Sequence, residues 1–104
     1  MVSIRIGVTD ATTPEDLDQR LTASWEKCSC TDDKIDFVFD ITQCRHVSLR
    51  RMLGIRSVLN RHRSNSLAHI NHSTIIAPNS TARNVLRIGL AMIRTARPVR
   101  VIVG

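Results

Sequence analysis

The segment Ile35-Asp-Phe-Val-Phe-Asp-Ile41 is a short apolar run that is rich in residues favouring β-strands. This pattern is typical of a central strand that is covered on both faces, as in parallel sheets. Large apolar side chains alternate with other residues at positions 2–8, and β-branched residues are concentrated toward the end of 67–77 and throughout 98–103. The sequence therefore predicts four strands.

Helical patterns fill the intervals between the first three strands. Thr13 and Pro14 predict a helix with Thr13 as its N-cap, because proline is favoured at the first helical position. One face of this helix carries Leu17, Leu21, Trp25 and Cys28. Ser48 is the predicted N-cap of a second helix. The residues that this helix is expected to turn toward the core are Leu49, Met52, Leu53, Ile55, Val58 and Leu59.

A third helix is predicted from residue 81 to about residue 95, with Asn79 or Ser80 as its N-cap. Its apolar stripe consists of Val85, Leu86, Ile88, Leu90, Ala91 and Ile93. The order β-α-β-α-β-α-β has crossovers long enough for parallel pairing and shows no hairpin turn. We therefore expect one α/β domain over residues 1–104, a single-layer, mainly parallel four-stranded sheet with three helices.

The charges are divided unevenly between the two parts of the chain. All nine carboxylates precede residue 41, whereas residues 41–104 contain eleven arginines, four histidines and no acid. Side chains give the first 40 residues a net charge of −5 and the rest of the chain +11. This division predicts an anionic partner for the second part: nucleic acid, an acidic or phosphorylated protein, or the acidic part of a second copy.

The second and third helices are predicted to present one basic face to this partner. The partner-binding arginines are expected to be Arg50, Arg51, Arg61, Arg63, Arg83, Arg87 and Arg94. The last three recur at i, i+4 and i+11, close to one stripe of the third helix. The two helices form one positive surface if they pack on the same or adjacent edges of the sheet. Trp25, Phe37 and Phe39 are the only Trp, Tyr or Phe residues, so platforms for base stacking are scarce.

The cysteines indicate a reducing environment. Their number is odd and the N-terminus has the pattern of a strand and not of a secretory leader, so we expect an intracellular, cytoplasmic location, or one within a virion or large complex. No run of eighteen apolar residues is present, so no membrane span is expected. Cys28, Cys30 and Cys44 lack the usual zinc spacing and a fourth ligand, and no metal site is expected.

Few residues suggest catalysis. No glycine-rich phosphate loop follows a strand, so no nucleotide cofactor is expected. Cys44 and His46 lie two residues apart without an evident oxyanion hole, which argues against a nucleophile and base. Asp36 and Asp40 bracket a strand. They could form a carboxylate pair, or one could cap the strand end while the other is solvated or pairs with an arginine. His69 and His72 are predicted on opposite faces of a strand. We expect no enzyme and no cofactor.

Several segments resemble consecutive parts of one known family. They are residues 6–10 (IGVTD), 13–17 (TPEDL), 36–41 (DFVFDI), 73–78 (STIIAP), 82–89 (ARNVLRIG) and 99–102 (VRVI). The family is that of the STAS domains, which includes bacterial anti-sigma-factor antagonists and the cytoplasmic tails of sulfate transporters. The last three segments are similar to its antagonist-like branch. The resemblance covers nearly the whole chain and implies a STAS-like α/β fold.

The resemblance also implies a possible regulatory role for Ser48. Where the family has a switch, it is a phosphorylatable serine at the N-terminus of the helix after the central strand, usually within Asp-Ser-Ser-Gly. The corresponding residues 46–51 are His-Val-Ser-Leu-Arg-Arg, so Ser48 is the possible phosphosite and its acidic and glycine neighbours are missing. A phosphate there would lie near Arg45, Arg50 and Arg51, which would stabilise it. The alternative is that Ser48 is only a helix cap.

The sequence favours a non-enzymatic, STAS-like interaction domain. It would dock an acidic or phosphorylated protein on its arginine-rich helical face and act as a subunit or regulator in a larger assembly. Electrostatic binding of nucleic acid, in a ribonucleoprotein or a virion, is one alternative and would show affinity that falls steeply with salt. Self-assembly into a homo-oligomer, through contacts between the acidic and basic parts of different copies, is another.

Overall fold

The computed structural model describes residues 2–28, 34–93 and 98–104. Strands alternate with helical crossovers in these ranges, as the sequence predicts. The elements are β1 (Val2–Gly7), α1 (Pro14–Cys28), β2 (Ile35–Asp40), α2 (Leu49–Gly54), α3 (Arg56–Arg61), α4 (Arg63–His69), β3 (Ile70–Ala77), α5 (Ser80–Ile93) and β4 (Val99–Val103).

The four strands form one sheet in the order β1-β2-β3-β4, and each neighbouring pair is parallel. This confirms the predicted α/β class and parallel four-stranded sheet. Because each crossover moves the chain to the adjacent position, β2 and β3 are central and β1 and β4 are the two edges. In the register, Phe39 of β2 lies between Ile6 of β1 and Ile75 of β3.

The helices pack on one face of this sheet. One apolar cluster joins α1 and α3 to β1, β2 and the start of β3, and a second joins α2 and α5 to β3 and β4. Apart from Ile70, the strand residues in both clusters occupy alternate positions, so their side chains point to the same side. The register shift between Ile35 and Asp36 brings Ile70 to that side as well. Strands in sequential order, joined by crossovers of a single hand, require this one-sided arrangement.

The opposite face, called the open face below, has no helix against it in the described part of the chain. Its residues are Ser3, Arg5, Gly7, Asp36, Val38, Asp40, His72, Thr74, Ile76, Arg100 and Ile102, and none of them is buried. The prediction that the central strand is covered on both faces is therefore wrong. In β2, Phe37 is fully buried under the helices, whereas Val38 on the open face is only half-buried.

The start of α1 confirms the prediction made from Thr13 and Pro14. The Thr13 hydroxyl accepts a hydrogen bond from the Asp16 N–H (3.1 Å), and the Asp16 carboxylate accepts one from the Thr13 N–H (3.0 Å). This reciprocal arrangement is a capping box. The bond from the Thr13 backbone is the main reason that the pKa of Asp16 is lowered. Leu17 and Leu21 are buried as predicted, while the side chain of Cys28 lies outside the described part.

The prediction of one helix beginning after Ser48 is wrong, because three short helices follow it. The breaks are at Ile55 and His62, whose φ/ψ angles are −93°/0° and −95°/8°. Gly54, with its low helix propensity, precedes the first break. At the second, the His62 side chain is buried against α1. Of the predicted core residues, Met52 and Val58 are buried and the other four, Leu49, Leu53, Ile55 and Leu59, are half-buried.

The third predicted strand begins later than expected, because residues 67–69 belong to α4 and β3 starts at Ile70. His69 therefore ends a helix, where its ring stacks on Trp25 with a centroid distance of 6.0 Å. His72 is exposed on the open face. The two histidines are not on opposite faces of one strand, and that prediction is wrong.

Asn79 caps α5, since its side-chain oxygen accepts a hydrogen bond from the Ala82 N–H (2.8 Å). Among the predicted core residues, Leu86 and Ile93 are buried, and Val85 and Leu90 are half-buried. Ile88, which is 56% exposed, and Ala91 belong to the predicted apolar stripe but are exposed. Residues 94 and 95, the predicted end of this helix, lie outside the described residues.

The α5 helix approaches α2 closely at Gly89. A Cβ placed on Gly89 would lie 2.6 Å from the sulfur of Met52. Glycine is therefore the residue that lets the two helices pack at this distance. As a result, α2 and α5 are neighbours in the helical layer, while α3 and α4 lie toward α1.

Asp40 closes the carboxyl end of β2. Its carboxylate accepts hydrogen bonds from the Thr42 hydroxyl (2.6 Å) and backbone N–H (3.0 Å), and it pairs with Arg5 on the open face (2.5 Å). The Thr42 hydroxyl and Arg5 are the main reasons that the pKa of Asp40 falls to about 2. Asp40 thus both caps the strand and pairs with an arginine. Asp36 is instead contacted by Asn71 (3.2 Å) and His72 (3.4 Å).

A pH prediction follows for Asp40. Because its folded-state pKa lies below the ordinary value of 3.8, its ionised form stabilises the fold above pH 3.8, and this contribution disappears as the pH falls toward 2. The difference in unfolding free energy between wild type and Asp40→Asn, measured with urea, should therefore shrink from pH 5 to about pH 2. Ser3→Ala, a neutral change on the same face, should keep the wild-type pH dependence. A difference that stays constant over this range would contradict the assignment.

Candidate interaction surface

Six of the seven arginines predicted to bind a partner are described, and Arg94 lies outside the described residues. Arg50 and Arg51 are on α2, Arg61 ends α3 and Arg63 begins α4. The remaining two, Arg83 and Arg87, are on α5. The α2 helix packs on α5, while α3 and α4 lie toward α1. We group the arginines by their contacts: Arg51 and Arg61, which pair with acids, form one set, and Arg83 and Arg87 of α5 form a second.

Two of the predicted arginines are held by acids from the first part of the chain. Arg51 pairs with the Asp10 carboxylate (3.1 Å) and also donates to the Asp10 carbonyl (2.7 Å). Arg61 pairs with Asp18 of α1 (2.8 Å). The opposite charges of the two parts of the sequence therefore meet within one molecule at these positions. Both guanidinium groups have a structural role, which the sequence analysis did not anticipate.

Asp10 fixes the loop that leads into α2. Its carboxylate accepts hydrogen bonds from the backbone N–H groups of Arg45 (2.9 Å) and His46 (3.3 Å). The bond from Arg45 is the main reason that the pKa of Asp10 is lowered. Because Asp10 follows β1 and residues 45 and 46 follow β2, this carboxylate joins the loops at the carboxyl ends of two neighbouring strands.

A buried network connects α1 to the break between α3 and α4. Trp25 Nε1 donates to His62 Nδ1 (2.9 Å), and His62 Nε2 lies 2.5 Å from the Asp18 carboxylate. Because Nδ1 accepts from the indole, the ring proton belongs on Nε2, which donates to Asp18. This bond is the largest cause of the lowered pKa of Asp18. In this network His62 joins α1 to the break between α3 and α4. The spacing of these residues in the sequence does not predict this contact.

The second set of arginines lies beside the edge strand β4. Arg83 and Arg87 of α5 and Arg100 of β4 line one groove of about 770 Å³, and no acid lines it among the described residues. In this part of the chain none of the three has a carboxylate within ion-pair distance. The Nε of Arg83 is buried without a hydrogen-bond partner there. A buried N–H group without an acceptor costs free energy. A hydrogen-bond acceptor from another molecule in this groove would remove that cost.

The backbone of β4 also has unused hydrogen-bonding groups. Ser73 N–H donates to the Pro98 carbonyl (3.1 Å), and Gly104 N–H donates to the Ala77 carbonyl (3.0 Å). In a parallel ladder this places the N–H and C=O groups of the even-numbered residues of β4 toward β3. Those of Val99, Val101 and Val103 therefore point away from the sheet, along the groove. An open edge of this kind can accept another strand.

The other edge is less accessible. The carbonyl of Gly7 in β1 points outward by the same alternation and accepts a hydrogen bond from the Arg20 guanidinium (2.5 Å). One outward backbone group of this edge is therefore already bonded within the molecule. The two edges therefore differ, and β4 is the one suited to pairing.

Apolar side chains are exposed on the same elements as the second arginine set. Ile88 and Met92 of α5 are 56% and 51% exposed, and Ile102 and Val103 of β4 are 37% and 43% exposed. Leu67 is the one other exposed large apolar residue among those described. Exposed apolar residues grouped beside cations are typical of an interaction site. We call this region, formed by α5, β4 and the groove beside them, the α5/β4 surface.

The residues weighed for chemistry do not form a site in the described part of the chain. Cys44 donates its thiol to the Val8 carbonyl (3.4 Å), and burial is the main reason that its pKa is raised. A thiol that resists ionisation is a poor nucleophile. No group of three or more potential metal ligands is found among the described residues, and Cys30 lies outside them. No described helix is long and apolar enough to cross a membrane.

Ser48 is exposed at the start of α2. Its hydroxyl accepts a hydrogen bond from the Arg51 N–H (3.3 Å), which confirms that it is the N-cap. The nearby Arg51 side chain is already bonded to Asp10 and to the His46 carbonyl. The geometry therefore accounts for Ser48 as a cap.

We predict that Ser48→Ala lowers the unfolding free energy by about 1 kcal/mol, the usual cost of losing a serine cap, and leaves partner binding unchanged. Urea unfolding and a binding titration on the same samples measure the two effects. Ser57→Ala, an exposed serine within α3, is the control and should change neither quantity appreciably. Loss of binding at unchanged stability would instead show that Ser48 contacts the partner or acts as a switch.

Comparison of the chain with family models, with curated proteins and with solved structures finds no match. The function is therefore argued from the geometry of the α5/β4 surface.

Proposed function

We propose that this chain is a non-enzymatic protein-interaction domain that binds an extended, acidic segment of a partner protein at the α5/β4 surface. The observation that carries the proposal is the convergence of Arg83, Arg87 and Arg100 on a groove that no acid among the described residues lines. Elsewhere the molecule pairs Arg51 and Arg61 with its own acids. Three arginines left without such a partner are best satisfied by carboxylates or phosphates of another molecule.

The backbone of β4 supports an extended shape for the bound segment. A strand added beside β4 would bond to the outward N–H and C=O groups of Val99, Val101 and Val103. Its side chains would alternate between the two sides of the sheet. Acids on one side would meet Arg83 and Arg87 of α5, and acids on the other would meet Arg100. Apolar residues of the segment would cover Ile102 and Val103.

A protein partner is favoured over nucleic acid by the positions of the aromatic side chains. Trp25 and Phe37 are buried, and the ring of Phe39 stacks on Phe37 with a centroid distance of 5.5 Å. No aromatic platform for bases therefore accompanies the arginines, although stacking is the usual source of affinity for single strands. The outward backbone groups and exposed apolar residues of β4 also suit a polypeptide better than a phosphate chain.

Pairing of β4 with β4 of a second copy is disfavoured by charge. An antiparallel pair would bring Arg83, Arg87 and Arg100 of the two copies into the same region, where like charges repel. Self-assembly would also need acids that are free to contact a second copy, but Asp10 and Asp18 already form ion pairs within the molecule. An acidic heterologous segment avoids both difficulties.

The resemblance to STAS domains adds to the proposal, because the antagonist-like branch acts by binding other proteins. A subunit or regulator of a larger intracellular assembly is the corresponding role for this chain. In this proposal the partner contacts α5 and β4, and the possible switch position Ser48 lies on α2.

The charge test uses a labelled eight-residue peptide of alternating valine and aspartate as the probe. Arg83→Glu/Arg87→Glu should weaken its binding at least tenfold, because two attractive contacts become repulsive. Arg50→Glu/Arg56→Glu changes the net charge equally on exposed positions outside the groove and should stay within about threefold of wild type. Fluorescence anisotropy at physiological salt measures both, with circular dichroism to verify folding.

Three outcomes would contradict the proposal. Equal weakening in both double variants would show that only net charge matters. Unchanged affinity in Arg83→Glu/Arg87→Glu would remove the groove from consideration. Tighter binding of a single-stranded oligonucleotide than of the peptide, with a steep loss of affinity in salt, would favour the nucleic-acid alternative.

A further inference from the structure

A large cavity lies between the helical layer and the covered face of the sheet. Its volume is about 530 Å³, and its lining includes members of both apolar clusters, for example Leu17 and Leu21 from one and Met52 and Leu86 from the other. The core is thus divided in two by this space. The α5/β4 groove lies beside the edge of the sheet, and Leu90 and Val99 line both spaces.

The cavity extends along the strands. At one end it is lined by residues of the loops that follow β1 and β2, including Thr9, Asp10 and His46. At the other end it reaches Ile70 and Val99, where β3 and β4 begin. The space therefore follows the sheet for about the length of a strand, roughly 20 Å for six residues. Polar groups line both ends: Asp10 and His46 where β1 and β2 terminate, and Asn60, Arg63 and Ser66 near the start of β3.

The walls between these ends are apolar. They are formed by aliphatic side chains together with Phe39, and the buried Ser73 is a small residue on the sheet side. An apolar cavity of roughly 150 Å³ stays dry and binds a molecule as small as benzene, and ligand pockets usually measure about 300–1,000 Å³. An apolar space of about 530 Å³ that held only water would leave the side chains around it without packing contacts on that side. A bound apolar molecule would restore those contacts.

The end beside the loops after β1 and β2 has a cation, Arg51, that is suited to an anionic head group. Arg51 donates to the Asp10 carboxylate, the Asp10 carbonyl and the His46 carbonyl. These bonds use three of the five N–H donors of a guanidinium, which leaves two for a ligand. The Arg51 side chain is 43% exposed at the mouth of the cavity. Asp10, the one acid among the described lining residues, is already bonded to Arg51 and to two backbone N–H groups.

We propose that the cavity binds a long-chain fatty acid, with its aliphatic chain between the sheet and the helices and its carboxylate at Arg51. The length of the cavity suits a single extended chain, its apolar walls exclude a polar ligand, and the remaining donors of Arg51 suit a carboxylate. This inference does not depend on the identity of the partner at the α5/β4 surface.

The probe for the test is cis-parinaric acid, whose fluorescence rises in an apolar site, with oleate as the competitor. Wild type should bind the probe and release it to oleate. Ser73→Phe places a ring in the cavity and should weaken binding at least tenfold. Thr74→Phe, the next residue on the same strand, adds the same ring on the open face and should stay within about twofold of wild type.

A second pair of measurements tests the head group. Arg51→Met should weaken binding of the acid at least fivefold more than binding of its methyl ester, because the ester carries no charge. Arg50→Met, on an exposed neighbour that does not line the cavity, should leave the ratio of the two affinities unchanged. An equal loss for acid and ester in Arg51→Met would overturn the carboxylate assignment.

Failure of wild type to bind either probe or oleate would overturn the proposal, as would wild-type affinity in Ser73→Phe. If Ser73→Phe does not fold, Ile55→Trp fills the cavity from the helical side and takes its place. Circular dichroism and the affinity for the acidic peptide identify a folded variant. Peptide binding that persists while fatty-acid binding is absent would reject the cavity ligand and leave the proposed function standing.

Discussion

The one-sided sheet is the constraint on which the rest of the structure depends. A parallel sheet in the order β1-β2-β3-β4, with each crossover of the same hand, has all its helices on one face. This leaves an open face of mixed polarity and two strand edges. It also requires the short helices α2 to α4 to cover the central strands together. The division of the core into two clusters, with a cavity between them, lies in the layer that this arrangement creates.

Electrostatic pairing within the chain explains why the charge asymmetry of the sequence is not spread over the whole surface. Asp10 and Asp18, from the acidic part, hold Arg51 and Arg61, from the basic part, and fix the loops and helices near α1. The remaining described arginines that line one groove are on α5 and β4. The asymmetry therefore has two roles: it holds the fold together near α1, and it leaves a positive site beside the open edge.

The sequence predicts the strands, α1 with its Thr13 cap, an α5 cap at either Asn79 or Ser80, and the parallel class, because each depends on local pattern and crossover length. The sequence does not predict that the second helix is broken. The break at His62 comes from a buried contact with Trp25, 37 residues away along the chain, and with Asp18, 44 residues away. The sequence does not predict the open face either, because the local pattern does not depend on what covers the sheet. An apolar segment such as residues 35–41 has the same pattern whether one face of a central strand is covered or both are. For the proposed site, the sequence analysis names Arg83 and Arg87 but not Arg100, and it does not show which arginines have internal partners.

The most direct test of the account is amide hydrogen exchange along β4, followed residue by residue with NMR. If β4 is a free edge paired only with β3, the amides of Arg100 and Ile102 should exchange slowly and those of Val99, Val101 and Val103 quickly. Addition of the acidic peptide should then slow the three valine amides selectively. Uniform exchange along β4 in the free protein, or valine amides that stay fast when the peptide is bound, would contradict the account.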